Sequence, residues 1–315
     1  MLECDYADSP RTMHELREAV IDPEQPYPIK AGLRYELSPY TLAKLEKLAG
    51  AKFEIGRLTS DDFIGPDNLD EAALRNIAQS VNASSEIEGE EVPASKLDLA
   101  LAAATRPTAR RIDEELEQRM LAVASIIRTL LWTLVEPPRE FISFDFVVEV
   151  HRRMFETTNP DAAGRMKTKR VAIEGGLYSV KTLPPEKSES FLRALCERTN
   201  TSLVTADTSR FLTTAEFVLD FLAIHPFHDG NGRTARLLST YLLERSGYHF
   251  ARFYPLDNVI LENRDAYYEA LFRAQQRWYQ PDEDLTPWIE FYTDMVFNQY
   301  VRAFQRVKDA HVRQR

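Results

Sequence analysis

The residues best equipped for chemistry stand together in HPFHDGNGRTAR, His225 to Arg236, where two histidines, an aspartate, an asparagine, two glycines and two arginines converge. Helical apolar spacing precedes the segment, Pro226 breaks it, and a new helix start follows. The two glycines of Gly230-Asn231-Gly232 let backbone N–H groups come close to a ligand, and the helix start adds its own unpaired amides, so the turn suits an anion. Arg233 and Arg236 are spaced i, i+3 and share a helix face from which both can grip phosphate oxygens. The chemistry this predicts is on a polyphosphate. Asp229 is the candidate to hold Mg2+, which takes one or two carboxylates with substrate phosphates and water. His225, with an ordinary pKa of about 6.5, is the candidate general base for a hydroxyl that attacks phosphorus.

Other chemistries fit these residues less well. Gly230, Gly232 and Ala235 satisfy the GxGxx[GA] pattern of dinucleotide sites, but that fingerprint needs a preceding strand and a βαβ unit, whereas the flanking periods here are helical. A transition-metal site starting from His225 and Asp229 has no further His or Cys at ligand spacing. His228 reads as a solvent-facing position. Gly176 to Thr182 lacks the glycine before Lys181 that a P-loop requires.

The elements that must position this loop are mostly helices. The chain has 315 residues, 44% apolar and 28% charged, with only 11 glycines, a composition that suits a helix-rich globular fold over a barrel or sandwich. Its net charge, 39 − 49 = −10, disfavours a polynucleotide-binding surface but leaves room for one basic pocket. Cys4 and Cys196 form no CxxC pair, so no cysteine zinc site or disulfide framework is expected and a reducing, cytoplasmic setting fits best. MLECDYADSP lacks a signal-peptide pattern, and the apolar stretch 121–135 is short for a bilayer and carries Arg128, so neither export nor a membrane span is expected.

Periodicity predicts an extended strap over 22–37, then helices from Ser38-Pro39 to Gly50, about 69–89, 94–104, 112–134, 143–155, 186–198, 213–224, 231–245, 264–278, and from Thr286-Pro287 onward. The exception is VAIEGGLYSV, 171–180, where two β-prone runs flank Gly175-Gly176, a hairpin-turn signal. The expected fold is all-α, a helical bundle carrying one β-hairpin.

HPFHDGNGRTAR resembles the Fic (filamentation induced by cAMP) family signature HPFx[DE]GNGRxxR at every fixed position. SSEIEG, Ser84 to Gly89, similarly fits that family's inhibitory pattern [ST]xxxE[GN], with Ser84, Glu88 and Gly89 at the fixed positions; its place before the loop resembles the subclass with an N-terminal inhibitory helix. The resemblance covers roughly residues 30–295 and implies a helical region over 1–110 with the inhibitory helix at about 69–89, a catalytic core over 111–250 with a flap at 171–182, and C-terminal helices over 251–315. Many relatives add a DNA-binding winged helix, for which the residues after the core leave too little chain.

The implied activity is that of a protein adenylyltransferase, moving AMP from ATP to a Ser, Thr or Tyr hydroxyl of a target, with self-modification and a homodimer both compatible and neither DNA nor membrane among the partners. By resemblance His225 is the base, Asp229 holds Mg2+ on the α- and β-phosphates, Gly230, Asn231 and Gly232 cradle phosphate, and Arg233 and Arg236 contact it, Arg236 at the γ-phosphate. Phe227 would anchor the loop in the core. Glu88 would pair with Arg236 and deny it to ATP; keeping 99 of 100 molecules closed needs only about 2.7 kcal/mol. Leu177, Tyr178, Ser179, Val180, Lys181 and Thr182 would form the flap edge that aligns the target by strand addition. In YPLDNVILENRDAYYEAL, Asn263, Tyr267 and Tyr268 are candidates to approach the nucleotide base, although tyrosines at that spacing also suit plain core packing. Two alternatives remain open: removal of AMP from a modified protein, with Glu88 orienting water, and a non-catalytic nucleotide-sensing module, which the intact His225 argues against.

Overall fold

The loop's approach is set by a helix that hydrophobicity alone would bury. The computed structural model describes residues 17–21, 23–24, 34–58, 71–105, 114–135, 140–175, 178–205, 209–280 and 282–313. Among them the chain order is β1 (Arg17–Val20), α1 (Pro39–Leu58), α2 (Glu71–Ile87), α3 (Leu97–Thr105), α4 (Glu114–Val135), α5 (Phe144–Phe155), β2 (Ala172–Gly175), β3 (Tyr178–Lys181), α6 (Pro185–Thr205), α7 (Ser209–Ile224), α8 (Asn231–Arg245), α9 (Leu256–Glu262), α10 (Arg264–Gln275) and α11 (Thr286–Arg313). The apolar stretch of α7 is buried nearly all round, with Phe217, Leu219, Phe221 and Ala223 at its centre. Helices α6, α8, α10 and α11 surround it. Its carboxy-terminal end therefore delivers His225 from the middle of the core.

Segments distant in sequence close the bundle. Helix α1 lies along α11, and α2 lies on α9, so the first and last regions of the chain meet. Part of the predicted strap is seen: the Arg34 guanidinium grips Asp220 of α7 at 2.9 and 3.0 Å, Leu285 N–H donates to the Arg34 carbonyl, and Glu36 N–H donates to Thr286 Oγ1. Trp278 Nε1–H also donates to Asp220, so one buried carboxylate on α7 holds both the strap and the chain beyond α10.

Several expectations need correction. Helix α1 passes through Gly50 instead of stopping there, because a mid-helix glycine costs only about 1 kcal/mol and burial of Leu48 and Ala51 on its two sides outweighs that. Helix α10 ends at Gln275, and the short α9 before it has too few residues for a period to show. Gly175 ends β2 paired with Tyr178, so the hairpin reverses one step later than predicted; Gly176 and Leu177 lie outside the described residues, as do Asn68 and Leu69 at the expected start of α2. The apolar stretch of α4, Gln118–Val135, is long enough for a bilayer by length and composition, contrary to the expectation from sequence, but Val123, Ala124, Ile126, Ile127 and Leu130 are buried in this core. The hairpin also gains a strand: β1 pairs in parallel with β3, giving the sheet order β1-β3-β2.

Candidate functional site

The loop is held by contacts that its own sequence supplies. Gly230 caps α8 with φ 73°, and a Cβ there would fall 2.2 Å from the Phe155 ring, so both backbone and space demand glycine. The buried Asn231 side chain accepts from Phe227 N–H at 3.0 Å and donates to Phe227 O at 2.9 Å. It closes the loop on itself, which leaves only the Asn231 backbone for a ligand. Phe227 is fully buried and stacks on His151, whose Nδ1 accepts from Gly164 N–H at 2.9 Å. The proton is thereby placed on His151 Nε2, 3.0 Å from the Asp229 carbonyl. Burial lowers this imidazole to about 4, so it stays neutral and fixes the backbone of Asp229.

His225 sits at φ 51°, unusual for a side chain with a Cβ, directly after α7. Its Nδ1 lies 3.3 Å from the Leu222 carbonyl, which can only accept, so the Nε2 lone pair is left free. Burial, with Lys167 adding to it, lowers the imidazole to about 4, below the ordinary value taken from sequence. The Lys167 ammonium donates to Ile224 O at 2.8 Å and to Thr182 Oγ1 at 3.0 Å, joining the end of the flap to the start of the loop, and burial lowers it to about 7. The neighbouring chain follows: Lys167 N–H donates to Pro226 O, and Thr168 N–H donates to His228 Nε2 at 2.9 Å, so His228 is solvent-facing as expected while accepting from Thr168.

Both arginines are buried and both face acids. Helix α2 ends in a Schellman turn, with Gly89 at φ 79°, its N–H on Glu86 O and Glu90 N–H on Ser85 O. That turn carries Glu88 and Glu90 to α8. Arg236 Nε donates to Ser84 Oγ at 2.7 Å, and its Nη2 donates to Ser84 O at 2.8 Å and to Glu88 Oε1 at 2.9 Å. Burial works to raise the Glu88 carboxyl, but Arg236, with Arg233 and His225 beyond, holds it below the usual range. A Cβ on Gly232 would come within 2.3 Å of Glu88 Oε1, so the carboxylate lies on the first turn of α8. Arg233 Nη1 donates to Glu90, a partner that the inhibitory pattern does not include. The buried Arg233 Nε has no hydrogen-bond partner among the described residues.

Sequence reasoning missed four contributors here: Lys167, His151, Glu90 and Asp257. Asp257 of α9 is buried, 3.4 Å from Arg236 Nε, and accepts from Ser80, giving Arg236 a second acidic neighbour besides Glu88. Of the base-site candidates, Tyr267 is buried beside Arg236 in a cluster with Tyr268, Trp288 and Phe291, and Tyr268 is half-buried near Glu88. The Asn263 side chain donates to Val259 O at the break between α9 and α10. In the flap, Ser179, Val180 and Thr182 are buried and Lys181 is exposed, while Tyr178 stacks on Phe272 of α10.

Known proteins resemble this chain in sequence and fold. Residues 141–243 match the Fic/DOC family. A relative from Caenorhabditis elegans named protein adenylyltransferase fic-1 is 28% identical over 194 residues, 60% of this chain and 35% of the relative. One from Nematostella vectensis, named protein adenylyltransferase Fic, is 30% identical over 177 residues, 55% of this chain and 35% of the relative. The matches thus span about a third of the curated relatives' length. The crystal structure of a Fic family protein from Desulfovibrio desulfuricans shares the fold with a TM-score of 0.65 at 21% identity, covering 90% of this chain and 77% of that one.

Proposed function

Residues 141–243 of this chain form a Fic/DOC family domain, and from that premise we propose that the protein is an adenylyltransferase that moves AMP from ATP to a Ser, Thr or Tyr hydroxyl of a target protein. The observation that carries the reading is the convergence, on one turn, of a free imidazole nitrogen at His225, a helix start at 230–232 whose first N–H groups lack intrahelical acceptors, and two buried arginines. A non-catalytic sensing role would need the anion site but not the base.

His225 Nε2 takes the proton from the target hydroxyl as that oxygen bonds to the α-phosphorus, the bond to the bridging oxygen breaks, and pyrophosphate leaves. The N–H groups of Asn231, Gly232 and Arg233 open α8 without intrahelical acceptors and would receive phosphate oxygens. Arg233 and Arg236 add charge-assisted contacts, Arg236 held by Asp257. Asp229 fits a magnesium ion: its carboxylate is 64% exposed at the mouth of the loop and is oriented by Gly230 N–H at 2.6 Å. Among the described residues no three His, Cys, Asp or Glu side chains cluster as a metal site, so the triphosphate would supply the other ligands. When bound, Mg2+ would neutralise and orient the α- and β-phosphates. Removal of AMP remains the second reading, because Glu88 lies against the same turn and could orient water there. The setting we propose is cytoplasmic.

The test is His225→Ala. Labelling of protein from ATP carrying the α-phosphate label should disappear while ATP binding persists, and loss of binding as well would assign His225 a structural role instead.

A further inference from the structure

Strand β3 has a neighbour on each side. On one side the hairpin partner β2 runs antiparallel; on the other β1 runs parallel, with Arg17 opposite Tyr178 and Val20 opposite Lys181. We propose that the chain's own β1 is an intramolecular block on this flap edge, an extended segment held parallel to β3 in the place a target segment would take and lacking any hydroxyl to modify. The inference rests on the transfer reading above and on the flap edge expected from the sequence, and adds to them the strand that must be displaced.

The edge leads to the reacting group. Beyond Lys181, Thr182 receives the Lys167 ammonium that also holds Ile224 O, and Leu183 N–H donates to Ala223 O at 3.3 Å. A strand laid along β3 therefore runs beside the end of α7 that carries His225. Parallel pairing of segments so far apart in sequence is strand addition, the way an extended peptide joins a sheet edge.

The resident strand has no acceptor. From Met13 through Pro26 the chain contains no serine, threonine or tyrosine. Its hold is local: Ile21 N–H donates to Lys181 O at 2.9 Å, Arg170 donates to Ile21 O, and the Lys187 ammonium donates to Pro23 O at 2.9 Å. Ile21 is buried, whereas Val20 is 56% exposed. Four paired residues make a short edge strand, anchored in the core by the buried Ile21 that follows it. One edge accommodates one strand, so β1 must leave before a target can pair.

The pairing supplies a selective disruption. Since Ile21 N–H points at β3, strand alternation points the Ala19 N–H there too and the Glu18 N–H away. Proline at 19 removes a ladder donor; proline at 18 serves as the control. The experiment uses the full chain carrying Glu88→Gly, ATP labelled at the α-phosphate, and two synthetic peptides of residues 13–26, one with Ala19→Ser and one with Val20→Thr. A tethered strand acts at an effective concentration of order mM, so micromolar peptide should be modified at least about tenfold faster by the Ala19→Pro chain than by the chain with β1 intact, and the Glu18→Pro chain should stay within about twofold of the latter. Equal rates with and without Ala19→Pro would overturn the inference. A second measurement covers loss of fold in the proline variant: Ala19→Ser and Val20→Thr, placed in turn in the resident strand, put a hydroxyl on each face, and one of them should become self-labelled within residues 13–26. Labelling of other hydroxyls with neither of these modified would also overturn it. No labelling of anything by the parent Glu88→Gly chain would instead overturn the transfer reading.

Discussion

The Glu88 carboxylate accepts from Arg236 Nη2 at 2.9 Å and at the same time lies on the first turn of α8, where a Cβ on Gly232 would come within 2.3 Å of it. One side chain thus meets both features of the anion site, the guanidinium and the helix start. An acid placed there is the intramolecular equivalent of the phosphate the site would bind. The Schellman turn at Gly89 makes the fit reproducible, because it fixes where α2 stops and where Glu88 points.

Glu90 extends the same contact to Arg233. Glu90 is half-exposed, and an ion pair of that exposure contributes about 1 kcal/mol or less. Glu90→Gln should therefore tighten ATP binding by up to about fivefold, less than is expected of Glu88→Gly. Calorimetric titration of ATP into each variant checks the order, and a larger gain from Glu90→Gln than from Glu88→Gly would reverse the assignment of the principal inhibitory acid.

His225 carries a pH signature. The proposed transfer needs the neutral imidazole, and burial together with Lys167 holds its titration near 4. In the ligand-free protein its ring protons should titrate near that value by NMR, and Lys167→Met should move the midpoint up by removing a neighbouring positive charge. Titration near 6.5 in the unsubstituted chain would contradict the burial seen here. The stability consequence has a definite sign: with His225 and His151 both lowered to about 4, the unfolded chain binds more protons between about pH 6.5 and 4, so stability falls as pH drops through that window.

What is legible in the amino-acid sequence is what is local. His225 to Arg236 carries its chemistry in consecutive residues, and Ser84, Glu88 and Gly89 lie within about one and a half helical turns, so both motifs are recognisable from residue order alone. Lys167, His151 and Asp257 are not, because each acts through a partner distant in the chain: Ile224 and Thr182, Asp229, and Arg236. Strand β1 is equally hidden. Arg-Glu-Ala-Val has no apolar alternation, and its pairing depends on a segment beyond position 170. Glu90 is one acid among several in SEIEGEE, and only the turn at Gly89 aims it at Arg233.

The central claim is transfer of the nucleotidyl group under restraint by Glu88. Its most direct test is the full chain carrying Glu88→Gly, incubated with Mg2+ and ATP labelled at either the α- or the γ-phosphate, with label on protein and the mass of the added group as readouts. The account predicts α-label only, an added mass equal to AMP, and stronger labelling than in the unsubstituted chain. Label from the γ-phosphate, or labelling unchanged by the substitution, would contradict it.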